Sequence, residues 1–193
     1  LLGLGQAYEN QIIQKQTELQ FVKWYPDNEF FQPIRVKTPN ILDDPLANTI
    51  EHYQSILVLL PPSQPTATVH FRLGEIQLNF LQDMGGAKIS YETALASLPN
   101  VDLTKKIQTR IGDLLLSTGQ YAKAIEYFNQ RSTLTNIDTY TIRYLNSLLF
   151  NLNIKQPLAF LDSTIYSMDP NDQYFNDLME IHELISQYYS DGT

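Results

Sequence analysis

Apolar residues recur at helical spacing in the middle of the chain. Between Ile107 and Thr118 they occupy positions 107, 111, 114 and 115, the spacing that places them on one buried stripe of an α-helix. Gly119 is placed to end this helix with a left-handed cap, and residues 122–134 repeat the apolar pattern. The segment therefore predicts an antiparallel helical hairpin, whose first helix we expect to start at Asp102 or Thr104.

The segments on either side show the same arrangement. Before the middle hairpin, the pattern predicts helices over Val69–Leu81 and Ala87–Leu98, joined by a turn at residues 83–86 that two glycines make loose. After it, the pattern predicts helices over Thr139–Leu152 and Pro157–Met168, because proline suits the first turn of a helix. Three consecutive hairpins are therefore predicted.

The three hairpins end in similar tripeptides, which begin at positions 98, 134 and 169 and so lie 36 and 35 residues apart. A period of that length is typical of a helical repeat array, in which each unit buries its apolar face against the next. The repeats cover residues 66–100, 101–136 and 137–171. We expect a closing helix over residues 172–189 to cap the array, with apolar residues on one face and acidic residues on the other.

The N-terminal region allows two interpretations. Residues 46–60 have the spacing of the second helix of an earlier repeat, and residues 2–24 are the candidate first helix. About twenty residues with three prolines separate them, which is long for a loop inside a compact domain. Either an insertion splits that repeat, or residues 1–24 form a compressed hairpin. We therefore divide the chain into an N-terminal helix with a proline-containing loop, 1–40, and the repeats with their capping helix, 41–193.

The small and aromatic residues of the hairpins resemble the tetratricopeptide repeat family. The first hairpin matches the family pattern at Leu73-Gly74, Ala87, Tyr91, Ala94 and Pro99, and the second at Ile111-Gly112, Gly119, Tyr121, Ala124 and Phe128. The third keeps Ala159, but it has Ser147 in place of the glycine and lacks the aromatic residue in register. The resemblance implies an all-α fold, an α-solenoid of antiparallel hairpins wound into a superhelix, with an N-terminal helix and a C-terminal capping helix.

The composition narrows the classes of partner. The chain carries 13 basic and 21 acidic side chains, a formal charge of -8, and this balance repels phosphate backbones and anionic lipid. The longest apolar run, Ile56–Leu60, is too short to span a membrane. We therefore expect a soluble chain without nucleic-acid partners and without direct membrane insertion.

The compartment cannot be read from the sequence. The absence of cysteine excludes disulfides and thiol chemistry but fits the cytoplasm and the periplasm alike. The first residue is leucine rather than methionine, which indicates a processed or truncated product.

The titratable residues do not form a catalytic pattern. His52, His70 and His182 lie on separate predicted helices without metal-ligand spacing, and Gly85-Gly86 lacks the earlier glycine of a phosphate-binding loop. Asp43-Asp44 is placed to cap the helix that follows it. We predict no metal, no cofactor and no enzymatic activity.

The resemblance also implies where a partner binds. In the family, residues one turn either side of the small position on each first helix line a concave groove. Carried over to this chain, and joined by the neighbouring basic residue of the second repeat, they are Phe71, Glu75, Leu78, Lys106, Thr109, Arg110, Asp113, Leu116, Tyr144, Leu148 and Asn151. The lysine, asparagine and arginine with which some family members grip a C-terminal carboxylate are replaced by Phe71, Glu75 and Leu145, so a carboxylate clamp is not expected.

Lys106 and Arg110 stand out because the second repeat is basic between acidic neighbours. They lie one turn apart and could dock an acidic ligand, or they could pair with acidic neighbours such as Glu75 and Asp138. Both interpretations remain open at this level.

Together these features predict a noncatalytic scaffold or adaptor that binds a protein or peptide segment in the groove, as part of a multiprotein assembly. Two alternatives stay open. One is a helical accessory domain of a larger enzyme or secretion machine. The other is a structural subunit whose groove is filled by its own apolar segment, Phe30–Val36. Self-association through either end of the array also stays open.

Overall fold

The computed structural model describes residues 1–17, 44–132 and 137–190. Within these ranges all regular structure is helical. The helices are α1 (Leu2–Thr17), α2 (Pro45–Leu59), α3 (Gln64–Asn79), α4 (Met84–Ala96), α5 (Val101–Ser117), α6 (Tyr121–Asn129), α7 (Thr139–Phe150), α8 (Lys155–Ser167) and α9 (Phe175–Ser190). The chain forms two compact units, Leu1–Ile107 and Gln108–Thr193, whose boundary falls inside α5.

Helices α3 and α5 begin earlier than the apolar pattern predicts, because polar residues upstream cap them. Ser63 precedes α3, and its backbone N–H donates to Thr66 Oγ1 at 2.8 Å. Asn100 precedes α5, and its Oδ1 accepts from the Leu103 N–H at 2.8 Å. The expected start of α5 at Asp102 or Thr104 is therefore wrong by one to three residues, since Asn100 caps the helix.

The predicted turn at residues 83–86 is also wrong. Asp83 caps α4, with its Oδ1 accepting from the Gly86 N–H at 2.8 Å, so both glycines lie in the first helical turn. The left-handed residue of this connection is Gln82, with φ 53°. Gly119, by contrast, adopts the predicted left-handed cap with φ 71°. The N–H groups of Gly119 and Gln120 donate to the carbonyls of Leu116 and Leu115, which completes the α5 C-terminus.

In the first unit, glycines allow two pairs of helices to approach closely. Gly74 of α3 lies under the ring of Tyr91 of α4, and Gly5 of α1 lies under the ring of Tyr53 of α2. A Cβ at either glycine would overlap the ring. Both tyrosines are fully buried, so the aromatic residue fills the space that the glycine leaves.

A buried polar cluster joins three helices of this unit. The Arg72 guanidinium of α3 contacts Glu9 Oε2 of α1 at 2.5 Å, and the Tyr53 hydroxyl of α2 donates to the other oxygen of the same carboxylate. Glu75 accepts from the Tyr91 hydroxyl at 2.5 Å. The burial of Glu9 outweighs the attraction of Arg72 and raises the carboxyl pKa to about 7. The cluster fixes α1 against α2 and α3.

In the second unit the same close approach occurs between α5 and α6. Gly112 of α5 lies under the ring of Phe128 of α6, which is fully buried. Helix α6 ends at Asn129 rather than at the predicted Leu134, and residues 133–136 lie outside the described part of the chain.

The third hairpin packs differently. Ser147 is buried on α7, and on α8 the buried stripe is Pro157, Phe160, Leu161 and Thr164. Ala159 is exposed, so it does not hold the buried alanine position that the sequence suggested. On α6 the small Ala124 precedes the large Phe128 by four residues. On α8 the order is reversed, because the large Phe160 precedes the small Thr164 by four residues. The apolar core here consists of Leu145, Leu148, Phe160, Leu161, Leu178 and Ile185.

Candidate functional site

The predicted groove residues of α3 are largely withdrawn from the surface. Phe71 and Glu75 are buried, and Leu78 is half-buried. The Phe71 ring lies 5.8 Å from the Tyr91 ring, and Glu75 accepts the Tyr91 hydroxyl. Because Gly74 brings α4 so close, the residues beside it contact α4 and offer little surface to a ligand. Leu145, which stands at a position of the carboxylate clamp, is buried as well.

The predicted groove residues of α5 and α7 have more surface. Lys106 and Asn151 are exposed, and Leu148 is buried in the apolar core. The others are half-buried, a state in which a side chain can both pack and contact a ligand: Thr109, Arg110, Asp113, Leu116 and Tyr144.

Asp113 organises the charges of this surface. Its carboxylate accepts from Arg143 Nε of α7 at 2.7 Å, and it lies 4.0 Å from Arg110 Nη1 on its own helix. All three side chains are between a quarter and about a third exposed. Asp113 thus bridges the guanidinium groups of Arg110 and Arg143. Solvent screens such partly exposed pairs, so their contribution to stability is small.

Arg143 is the residue of this surface that the sequence did not identify. The predicted groove residues lie one turn either side of the small residue of each first helix, and on α7 the first of them is Tyr144. Arg143 directly precedes Tyr144 and was therefore not included. The available signal was its four-residue spacing from Ser147, whose hydroxyl donates to the Arg143 carbonyl at 2.7 Å.

Beside these charges, a hydrogen bond joins α5 to α7 and a ring contact joins α7 to α8. The Tyr140 hydroxyl of α7 donates to Gln108 Oε1 of α5 at 2.8 Å, and burial raises the pKa of this tyrosine. Tyr144 makes an edge contact with Phe160, with ring centroids 5.1 Å apart. We call the surface formed by Thr109, Arg110, Asp113, Leu116, Arg143 and Tyr144 the α5–α7 surface.

Two of the three histidines make local contacts. His182 of α9 lies 2.8 Å from Asp162 of α8, and His52 lies 3.0 Å from the Leu1 carbonyl. Over residues 1–17, 44–132 and 137–190, His, Asp and Glu side chains nowhere gather in a group of three that could hold a metal ion. Across those same residues, no helix is both long enough and apolar enough to cross a membrane. The segment Phe30–Val36, proposed above to fill the groove, lies outside the described residues.

Comparison with known proteins gives one match. Residues 106–130, which span most of α5 and all of α6, match the family model of the tetratricopeptide repeat. This segment contains Gly112 and Phe128, so the match falls on the hairpin with the close approach. It supports assignment of the chain to the tetratricopeptide repeat family. Searches of curated proteins and of solved structures found no match.

Proposed function

We propose, from the chain's assignment to the tetratricopeptide repeat family, that it is a noncatalytic scaffold that binds a segment of a protein partner. Repeats of this family typically serve as protein interaction modules rather than as enzymes. The observation that carries the proposal is the close approach of Gly112 to Phe128, which lies within residues 106–130, the segment that matches the family.

Within this proposal the α5–α7 surface is the contact site. It combines the partly exposed guanidinium groups of Arg110 and Arg143 with apolar area from Leu116 and Tyr144. Such a surface favours a helical or extended segment in which an acidic side chain lies next to apolar ones. The supporting helices are already folded, so the receptor loses little conformational entropy on binding.

The test is capture of the partner by a photo-crosslinking residue placed at Leu116, with the same residue at exposed Glu92 of α4 as control. We expect a crosslinked protein from Leu116 and none from Glu92. Arg110→Glu should abolish the crosslink, whereas Lys88→Glu, which changes the net charge equally on α4, should retain it. Equal crosslinking from both positions, or retention by both charge variants, would contradict the proposal.

A further inference from the structure

The turn between α7 and α8 exposes several large apolar side chains. Phe150, Leu152 and Ile154 are 55%, 89% and 41% exposed. The Phe150 ring stacks on Tyr121 at the start of α6, with ring centroids 5.8 Å apart. We call these four residues the apolar tip. Neighbouring apolar side chains that stay in water are typical of a surface that another molecule covers.

Leu152 is an unusual residue for this turn. Its φ is 58°, in the left-handed region, whereas the α5–α6 hairpin has Gly119 there with φ 71°. Leucine in this conformation lowers the stability of the fold, whereas glycine or asparagine would not. Asparagine flanks it on both sides, at residues 151 and 153. The turn therefore does not require leucine, and the exposed Leu152 side chain adds to the apolar tip.

The tip also differs from the rest of the chain in charge. No carboxylate side chain occurs in residues 114–125 or 139–161, and the exposed Glu126 and Asp162 directly follow these two ranges. Lys123 of α6 and Lys155 of α8 are exposed, each close in sequence to a residue of the tip. The tip is therefore apolar, and two exposed lysines lie near it in sequence.

Helix α9 of the same unit presents the opposite charge. Its outward face carries exposed Glu180 and Glu183, flanked by Met179 and Leu184, which are 43% and 56% exposed. There is no lysine or arginine in Phe175–Ser190. This face is therefore apolar and acidic, complementary to the tip.

We propose that two copies of this chain associate by docking the apolar tip of one copy on the outer face of α9 of the other. Apolar burial would supply the affinity, and the lysines against the glutamates would supply orientation and salt dependence. Both surfaces belong to one unit, so a twofold pair would form the contact twice. The proposed site uses other residues than the α5–α7 surface, and either proposal can fail without the other.

The test is a charge exchange followed by analytical ultracentrifugation. Lys123→Glu with Lys155→Glu makes the tip acidic, and Glu180→Lys with Glu183→Lys makes the α9 face basic. We expect the unaltered chain to associate more weakly at high salt, and each double variant alone to associate at least about tenfold more weakly. An equimolar mixture of the two variants should associate again, because both contacts of the pair then join opposite charges.

Leu152→Asn tests the apolar part of the contact without a change in charge. It relieves the left-handed leucine, so the chain should unfold at the same or a higher temperature while it associates more weakly. Leu98→Asn is the matched control, because Leu98 is also left-handed, with φ 59°, and 71% exposed, but lies in the other unit. It should leave association unchanged.

Three results would overturn the proposal. They are a chain that stays monomeric up to near-millimolar concentration, association that both charge variants retain, and an equal effect of the two leucine substitutions. A monomer that instead binds vesicles containing phosphatidylserine, through Lys123 and Lys155, would assign the tip to an anionic lipid surface and reject the second copy.

Discussion

At the residue scale, the helices of this chain are fitted together by glycine and a large ring. Gly5, Gly74 and Gly112 each lie under an aromatic side chain of another helix, and in each case a Cβ would overlap that ring. The rings of Tyr53, Tyr91 and Phe128 are fully buried. Because packed interiors tolerate little extra volume, the three positions should respond to substitution in the same direction.

Gly112→Ala should lower the free energy of unfolding by about 1 to 2 kcal/mol. Overpacking against Phe128 costs about 1 to 3 kcal/mol, and the higher helix propensity of alanine returns up to about 1 kcal/mol. The measurement is urea unfolding followed by circular dichroism.

Gly85→Ala is the control for this substitution. Gly85 is exposed in the first turn of α4, where a Cβ would meet only Asp83 Oδ1 at an ordinary 3.6 Å. It should leave stability unchanged or raise it slightly. A Gly112→Ala chain as stable as the Gly85→Ala chain would show that the ring moves aside at no cost.

Glu9 makes stability depend on pH in an unusual direction. Burial raises its pKa from 4.5 to about 7 in the folded chain, so the folded state binds this proton more tightly than the unfolded state. Its contribution is complete below pH 4.5 and is lost as the pH rises towards 7. At about 1.36 kcal/mol per pKa unit, the loss is about 3 kcal/mol.

Glu9→Gln should remove this pH dependence. The difference in unfolding free energy between the unaltered chain and the variant should therefore change between pH 5 and pH 8. Relative to the variant, the unaltered chain should have a lower unfolding free energy as the pH rises. Glu92→Gln, an exposed residue of α4, should show no such change. Parallel pH profiles for the unaltered chain and Glu9→Gln would mean that Arg72 keeps the carboxylate ionised throughout.

At the scale of elements, helix ends depend on single polar side chains. Asp138 precedes α7, and its Oδ1 accepts from the N–H groups of Tyr140 and Thr141 at 2.9 and 3.0 Å. Gln120 precedes α6 without a side-chain bond to that helix's backbone. The two residues occupy the same position relative to their helices, but only Asp138 satisfies backbone donors there.

Asp138→Ala should destabilise the chain by about 1 kcal/mol, the usual effect of removing a capping side chain. Gln120→Ala should change stability by much less. Thermal unfolding of both variants, followed by circular dichroism, measures the difference. If both variants lost the same stability, the contribution of Asp138 would not come from capping α7.

The elements also show how far the sequence could predict this fold. Of the apolar stripe predicted for α5, residues 107, 111 and 114 are buried and residue 115 is half-buried. The start of α5 and the α3–α4 turn were missed because Asn100 and Asp83 act through side-chain hydrogen bonds, which hydrophobic periodicity does not detect. The α5–α7 surface was only partly predicted, since the pairing of Arg143 with Asp113 joins residues 30 positions apart.

Burial was predicted least well where a close approach displaces side chains. Register placed Phe71 and Glu75 beside a groove, but the Gly74–Tyr91 contact draws them towards α4. A polar residue at a surface position of the helix pattern can thus be buried when the neighbouring helix supplies a hydroxyl. Sequence periodicity describes one helix at a time, so it does not predict how closely α3 and α4 approach each other.

At the scale of the whole molecule, the net charge of -8 limits the class of partner. Nonspecific binding to nucleic acid depends on basic side chains that displace counterions from phosphates. We expect no mobility shift of duplex DNA at micromolar chain and about 50 mM salt, because overall repulsion outweighs the basic residues of α5. A shift that disappears as salt rises would contradict this expectation. Lys105→Gln with Lys106→Gln would then decide whether α5 makes the contact, with Lys88→Gln as the control for loss of charge elsewhere.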